Sequence, residues 1–236
     1  MPRPDFRVDW ASYAATKYAV TRWHYSHAMP AGKMVRIGAW EAGDFVGAVI
    51  FSRGANRHLL RPYGLDQTEG CELTRVALRR GHGTPVSRIV SLALRFLKTA
   101  SPGMRLVVSY ADVDEGHHGG IYQAGNWIYE GLMGEGARSA FIVNGRKMHP
   151  KSVHSKGVKQ NLAAVRAQLD PDAAIHVTAG KHKYLMPLDA EMRERIAHLA
   201  KPYPKRERAK QAMTGHPPAQ RQGGTDPHAP TTLCLS

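Results

Sequence analysis

Two cysteines, Cys71 and Cys234, are all that 236 residues contain, which leaves no basis for a disulfide framework or a thiolate zinc knuckle. No apolar run approaches the ~20 residues that a membrane-spanning helix needs. The opening MPRPDFRVDW lacks the apolar core of a secretion signal. These absences lead to the expectation of a cytoplasmic protein with reduced thiols and no membrane partner. Internal repeats are missing too. Acidic residues are in deficit: 19 Asp and Glu stand against 33 Lys and Arg, for a net charge of +14 and a pI near 10.0. A chain so basic is expected to seek a polyanion, and nucleic acid is the usual one.

What is present is a chain with 42% hydrophobic residues, enough for a real core. The most informative stretch is Arg105–Gly131, RLVVSYADVDEGHHGGIYQAGNWIYEG. Arg105–Ala111 has the apolar, β-branched composition of a buried strand. It runs into Asp112, Asp114, Glu115, His117 and His118. Acids and imidazoles at the end of a buried strand are common material for an α/β cleft, and equally for a solvated turn. Ile121–Gly125 reads as a short helix and Trp127–Leu132 as a strand.

Upstream, the Ala-rich Trp10–Arg22 has helical spacing and ends at Trp23-His24-Tyr25-Ser26. Met34–Trp40 and Asp44–Ser52 predict a hairpin about Glu41-Ala42-Gly43. The loop with Arg53, Arg57, His58, Arg61 and Tyr63 suits phosphate contacts and base stacking. Strand Cys71–Leu78 leads through Arg79-Arg80-Gly81-His82-Gly83-Thr84-Pro85 into the amphipathic helix Val86–Lys98, with Thr84 as candidate N-cap. A basic Gly-x-Gly turn before a helix N-terminus is a candidate anion cradle, since exposed N–H groups, the helix dipole and two guanidinium groups converge there.

Downstream, a hairpin is expected around Asn144-Gly145, a polar loop over His149–Gly157 and a helix over Leu162–Leu169. A strand pair Ile175–Thr178 with His182–Met186 follows, then a helix over Ala190–Ala200. From Lys201 the composition shifts to a basic cluster and then to Pro, Gly, Gln and Thr. This predicts a domain over residues 1–200 and a basic tail over 201–236, disordered from about 211.

The order of strands and helices predicts an α/β (α+β) fold with a mixed, mostly antiparallel sheet flanked by helices, and it resembles the GNAT acyltransferases. In that fold the glycine turn holds the pyrophosphate of coenzyme A. The usual Gln or Arg three residues before the first Gly is Leu78 here, a departure from the pattern.

A narrower resemblance is carried by Trp23-His24-Tyr25-Ser26 with Gly32-Lys33, Glu72-Leu73-Thr74-Arg75, Ser109-Tyr110-Ala111-Asp112, and Gly119–Trp127. Lys183-Tyr184-Leu185-Met186-Pro187-Leu188-Asp189 and Pro202-Tyr203-Pro204-Lys205 add to it. Together they resemble the Mom family of Mu-like phages over roughly residues 10–206. The resemblance implies a GNAT-like enzyme that converts adenine in double-stranded DNA to N6-carbamoylmethyladenine and so protects phage DNA from host restriction. It implies an iron requirement with unassigned ligands, and a small-molecule donor, a coenzyme A thioester being one candidate. Carried over by position, it gives His24, Tyr25, Asp112 and Tyr122 as catalytic residues and Arg75 as a donor-binding residue, with Ser109 as a further match. The glycine turn adds Arg79, Arg80, Gly81, Gly83 and Thr84 as donor-binding candidates. An ordinary GNAT N-acetyltransferase and a non-catalytic DNA-binding protein are the competing readings.

Overall fold

The computed structural model describes residues 5–54 and 56–205. Ten strands and six α-helices alternate along them: β1 (Phe6–Trp10), α1 (Tyr13–Trp23), β2 (Met34–Glu41), β3 (Asp44–Ser52), β4 (Gly70–Leu78), α2 (Val86–Ala100), β5 (Leu106–Asp112) and α3 (Gly120–Gln123). Then follow β6 (Ile128–Met133), β7 (Arg138–Val143), β8 (Arg146–Met148), α4 (Pro150–His154), α5 (Leu162–Gln168), β9 (Ala174–Val177), β10 (Lys181–Pro187) and α6 (Ala190–Ile196). A seven-stranded sheet has the order β1-β2-β3-β4-β5-β10-β6, and a three-stranded sheet the order β8-β7-β9. The registers from β1 through β4 are antiparallel, and β4–β5 is parallel. This is the mixed, mostly antiparallel sheet flanked by helices that the sequence predicts. No helix among the described residues is long and apolar enough to cross a membrane.

The chain divides into two compact units. Among the described residues the first comprises 5–54, 56–109, 120–129 and 184–205, and the second 110–119 and 130–183. The tail expected to be disordered lies outside the described residues from 206 onward.

In the first unit the hydrophobic pattern decides the packing. Helix α1 buries Ala19 and Val20 against Ala48, Ile50 and Ala77, small side chains that let helix and sheet approach closely. Helix α2 buries Ile89, Val90, Ala93, Leu94 and Leu97, one stripe at helical spacing. Ser12, not Trp10, starts α1, its hydroxyl accepting from the Ala15 N–H. Trp10 instead ends β1, whose half-exposed Arg7-Val8-Asp9 pairs along β2.

In the second unit Phe141, Val143, Val153, Val158, Val165 and Ala173 form the core. Two expectations are corrected there. The expected polar loop contains α4, capped by the His149 ring and opened by Pro150. The expected pair of late strands does not pair: β9 joins β7, and β10 takes its place between β5 and β6.

Candidate active site

Strands β4 and β5 run parallel and are in register from Gly70↔Leu106 to Leu73↔Ser109, where the pairing stops although β4 continues to Leu78. On its other side β4 keeps pairing with β3, with a bulge. Ile50 faces Arg75 and Phe51 faces Leu73, so Thr74 is the extra residue. Bulges re-aim side chains, and the carboxyl ends of diverging parallel strands are where α/β folds place their ligands. The fold thus marks one place in the first unit, at residues 72–75 and 109.

Ser109, fully buried, is the pin of this place. Its hydroxyl donates to the Leu73 carbonyl at 2.9 Å and lies 2.8 Å from the Tyr122 phenol oxygen. A hydroxyl has one proton. With that proton on Leu73, the phenol donates to Ser109, giving a chain Tyr122 → Ser109 → Leu73. Tyr122 is held by rings: Trp127 lies 5.0 Å and Tyr184 5.1 Å from it, centroid to centroid. Tyr203 donates to the Trp127 carbonyl at 2.7 Å, and Gln123 donates to the Tyr184 oxygen and the Pro204 carbonyl. The segment Pro202–Lys205 is thereby tied to the site's support. Burial pushes the Tyr122 phenol up to about 12, so it is a neutral hydrogen-bonding group at neutral pH.

Arg75 is placed by the bulge. Its guanidinium donates to the Thr74 carbonyl at 2.7 Å and to the Ala28 carbonyl at 3.2 Å, fastening the loop after α1. Burial lowers its pKa, while the negative influence of Tyr25 and Glu72 opposes the shift, which puts both groups in its neighbourhood. On that loop His24 is buried, and its Nδ1 accepts the Ser26 N–H at 3.1 Å. The Tyr25 ring lies over His24 with centroids 4.3 Å apart, yet is 47% exposed. It is an aromatic face open to solvent and backed by a fixed ring.

Thus His24, Tyr25, Arg75, Ser109 and Tyr122, separated by up to 98 positions in sequence order, share one unit and one neighbourhood. Glu72 joins them. Its charge is felt by both Tyr122 and Arg75, and Gly54, at φ +73°, packs on its carboxylate so closely that a Cβ there would come within 2.5 Å of Oε2. Sequence reasoning quoted Glu72 within a motif without giving it a role. The available signal was a carboxylate inside the otherwise buried strand GCEL.

Asp112 belongs to the second unit and has partners of its own. One oxygen accepts from the Asp114 N–H at 3.1 Å, and the other pairs with Lys181 at 3.0 Å. Asp114 is a structural hub, accepting from Ala179 N–H, Thr178 Oγ1, His176 Nε2 and Lys147 Nζ. Those bonds, led by the Ala179 N–H, hold its carboxyl well below the usual carboxylate range. His117 and His118 lie in the same unit, exposed and half-buried. The iron that the family resemblance implies finds no matching donor set: no three His, Cys, Asp or Glu side chains among the described residues could hold a metal ion. Those residues do not fit such an ion, and no step below passes through one.

The glycine turn departs from expectation. Thr84 does not cap α2. Pro85 is the capping residue, without a side-chain bond. Instead the buried carboxylate of Glu41, arriving from the end of β2, accepts from the Gly83 N–H at 2.7 Å, the Thr84 N–H at 2.8 Å and the Thr84 hydroxyl at 2.6 Å. The turn does hold an anion, but one supplied by a residue of the same chain. Gly81, at φ +83°, makes the turn, while Arg79 reaches Asp44 at 3.4 Å and Arg80 is exposed. Two N–H groups and one hydroxyl of the turn are taken by Glu41. In the basic loop, Tyr63 is buried at 4% exposure, so it is a packing residue and not a stacking platform.

Comparison with solved structures finds acetyltransferases. RimL, a ribosomal alpha-N-protein acetyltransferase, matches with a TM-score of 0.45 at 9% identity over 80% of this chain and 96% of that one. A mutant of SpeG spermidine N-acetyltransferase from Vibrio cholerae matches with a TM-score of 0.46 at 9% identity over 81% and 96%. A dodecameric form of the Vibrio cholerae enzyme gives 0.45 at 10% identity over 77% and 93%. No curated protein matches the chain. The Mom protein family matches residues 5–205, which takes in all the motifs quoted above, and the chain therefore belongs to the Mom family.

Proposed function

We propose that this protein is a DNA-modifying transferase that places a carbamoylmethyl group on N6 of adenine, with the site at the divergence of β4 and β5 as its active centre. The observation that carries the reading is the convergence of an exposed aromatic face, a carboxylate, a fixed guanidinium and a buried phenol at that point, within a chain of net charge +14.

Each group has work to do there. N6 is a weak nucleophile because its lone pair is delocalised into the purine, so attack needs a held base, a proton acceptor and an activated donor. Adenine in duplex DNA has to leave the stack to reach such a site. The open Tyr25 ring gives the extruded base a π-face, backed by His24. Glu72 accepts the N6 proton as the nitrogen bonds to the donor's methylene carbon, and the donor's leaving group departs with the electron pair. Arg75 neutralises the anionic part of the donor, its position set by the two carbonyls it holds. Tyr122, neutral at physiological pH, donates no charge to the reaction. It fixes Ser109 and closes the floor of the site. Asp112, bonded to the Asp114 N–H and paired with Lys181, supports the Asp114 turn in this scheme.

Double-stranded DNA is the proposed macromolecular partner. Supporting it, a cleft of about 380 Å³ in the first unit carries Arg95 and Arg193 beside Ser87 and Ser91 on a wall that also has Leu94, Trp127 and Met186 and no acidic side chain. Such a cleft suits phosphate oxygens. Plasmid DNA from bacteria expressing the protein tests the reading. We expect resistance to endonucleases with adenine in their sites, lost in Glu72→Gln. Full cleavage of DNA from cells holding folded wild-type protein overturns it.

A further inference from the structure

We propose that Glu41 is a donor-specificity residue: its carboxylate occupies the anion position at the turn between β4 and α2, so the donor of this transferase is not anchored there by a diphosphate. The inference deepens the transferase reading and rests on it only for the existence of a donor.

The turn has everything an anion site requires. Gly81 at φ +83° reverses the chain, the Gly83 and Thr84 N–H groups converge on one acceptor, and Arg80 and His82 stand beside them in the sequence. Three of its donors, the Gly83 N–H, the Thr84 N–H and the Thr84 hydroxyl, face one carboxylate. The bonds at 2.6, 2.7 and 2.8 Å have the short lengths of charge-assisted hydrogen bonds. They hold the Glu41 carboxyl below its usual range, the Thr84 hydroxyl contributing most. An added Cβ at Gly83 would stand 3.6 Å from Glu41 Oε1, so the glycine backbone and the carboxylate are in packing contact.

The local sequence delivers Glu41 to this place. The β2–β3 hairpin turns on Ala42 and Gly43, at φ +52° and +87°, and the Ala42 N–H is tied to the Asp5 carbonyl at 2.7 Å. Glu41 is thereby held at the last paired position of β2, opposite Phe6. A carboxylate tethered in this way competes with any free diphosphate at a high effective concentration. It also repels the diphosphate's charge. An incoming diphosphate would have to displace three bonds and strand a buried carboxylate, since Glu41 is only 9% exposed.

The test is binding, on the full chain and without DNA, using inorganic pyrophosphate, coenzyme A and pantetheine as probes. We expect the wild type to bind coenzyme A no more tightly than pantetheine, and pyrophosphate to leave the Gly83 and Thr84 amide signals in place. Glu41→Ala opens the cradle, so its affinity for pyrophosphate and coenzyme A rises at least tenfold while that for pantetheine stays constant. Wild-type coenzyme A binding tenfold tighter than pantetheine, with those two amides shifting, overturns the proposal. So does a Glu41→Ala chain that folds and gains nothing. If Glu41→Ala fails to fold, Glu41→Gln keeps the shape and removes the charge. Pyrophosphate should then raise its melting temperature and not that of the wild type, and an equal response of the two overturns the proposal. Adenine modification is read separately in cellular DNA, so a failure here leaves the transferase reading standing and removes only the exclusion of a diphosphate anchor.

Discussion

Removing Ser109 and removing its partner Tyr122 should have very different consequences, because the proton order Tyr122 → Ser109 → Leu73 makes the two ends of the bond unequal. In Tyr122→Phe the serine keeps its donation to Leu73 and forfeits only an incoming donor, a loss of about 1 kcal/mol for a neutral hydrogen bond. In Ser109→Ala the Leu73 carbonyl loses its donor and the phenol O–H is left buried with no acceptor. A lost bond plus an orphaned buried donor comes to about 3 kcal/mol. The double variant leaves no orphaned phenol donor, so it costs about 2 kcal/mol for the two lost bonds and is more stable than Ser109→Ala alone, a coupling that only groups in contact can produce. Trp10, Trp23, Trp40 and Trp127, the four tryptophans of the chain, all lie in the first unit, and Trp127 is 1% exposed. Urea unfolding followed by tryptophan fluorescence therefore reports the unit that holds the pair. Equal costs for the two single variants, or a double variant whose cost is their sum, would refute the proton order and the claim that Ser109 pins Tyr122.

Three further outcomes follow from the same geometry. Asp114→Asn should destabilise the second unit by about 2 kcal/mol at pH 7, where a charged acceptor serves several donors. Because the folded-state carboxyl titrates below its unfolded value, that stability is present above about pH 4 and lost as pH falls toward the folded value, so wild-type and variant melting curves should converge on acidification. A gap independent of pH contradicts the assignment. Cys71, buried and pushed up to about 12 mainly by burial, should resist alkylation at pH 8 in a native Cys234→Ser chain and react on unfolding; native labelling of that chain at the rate of a free thiol would contradict its burial. Arg75→Lys keeps the charge but cannot span the Thr74 and Ala28 carbonyls, so modification should fall at least tenfold while DNA affinity changes little. Activity near wild type in that variant would show that the fork is not needed.

The sequence was most legible where one element's pattern suffices. The β2–β3 hairpin, strand β4, the stripe of α2 and strand β5 all follow from apolar spacing and from Gly and Pro at their ends. It was least legible where partners come from far away. Nothing in His182–Met186 shows that β10 inserts between β5 and β6 instead of pairing with β9, since strand order is a property of non-local packing. Strand β1 was hidden because Arg7-Val8-Asp9 at a sheet edge reads as a polar lead-in to the helix that follows. The glycine turn was read as an anion cradle, and two of its N–H groups do hold a carboxylate. Its occupant was not foreseen, because Glu41 lies 43 positions before Thr84 and a hairpin-turn glutamate looks like surface. At the candidate site, family motifs named Tyr25, Arg75 and Tyr122, whereas Glu72 became visible only from the strand pairing around the bulge at Thr74 and from its charge acting on Arg75 and Tyr122.

The most direct test of the central claim is the mass of deoxyadenosine. DNA from bacteria expressing the wild type, Glu72→Gln and Arg75→Ala should be digested to nucleosides and compared by mass spectrometry, with soluble, folded protein verified in each culture. The account predicts a heavier deoxyadenosine, shifted by one carbamoylmethyl group on N6, in the wild type and its absence or near-absence in both variants. Unmodified deoxyadenosine beside abundant wild-type protein, or an undiminished adduct in Glu72→Gln, would contradict the site as drawn.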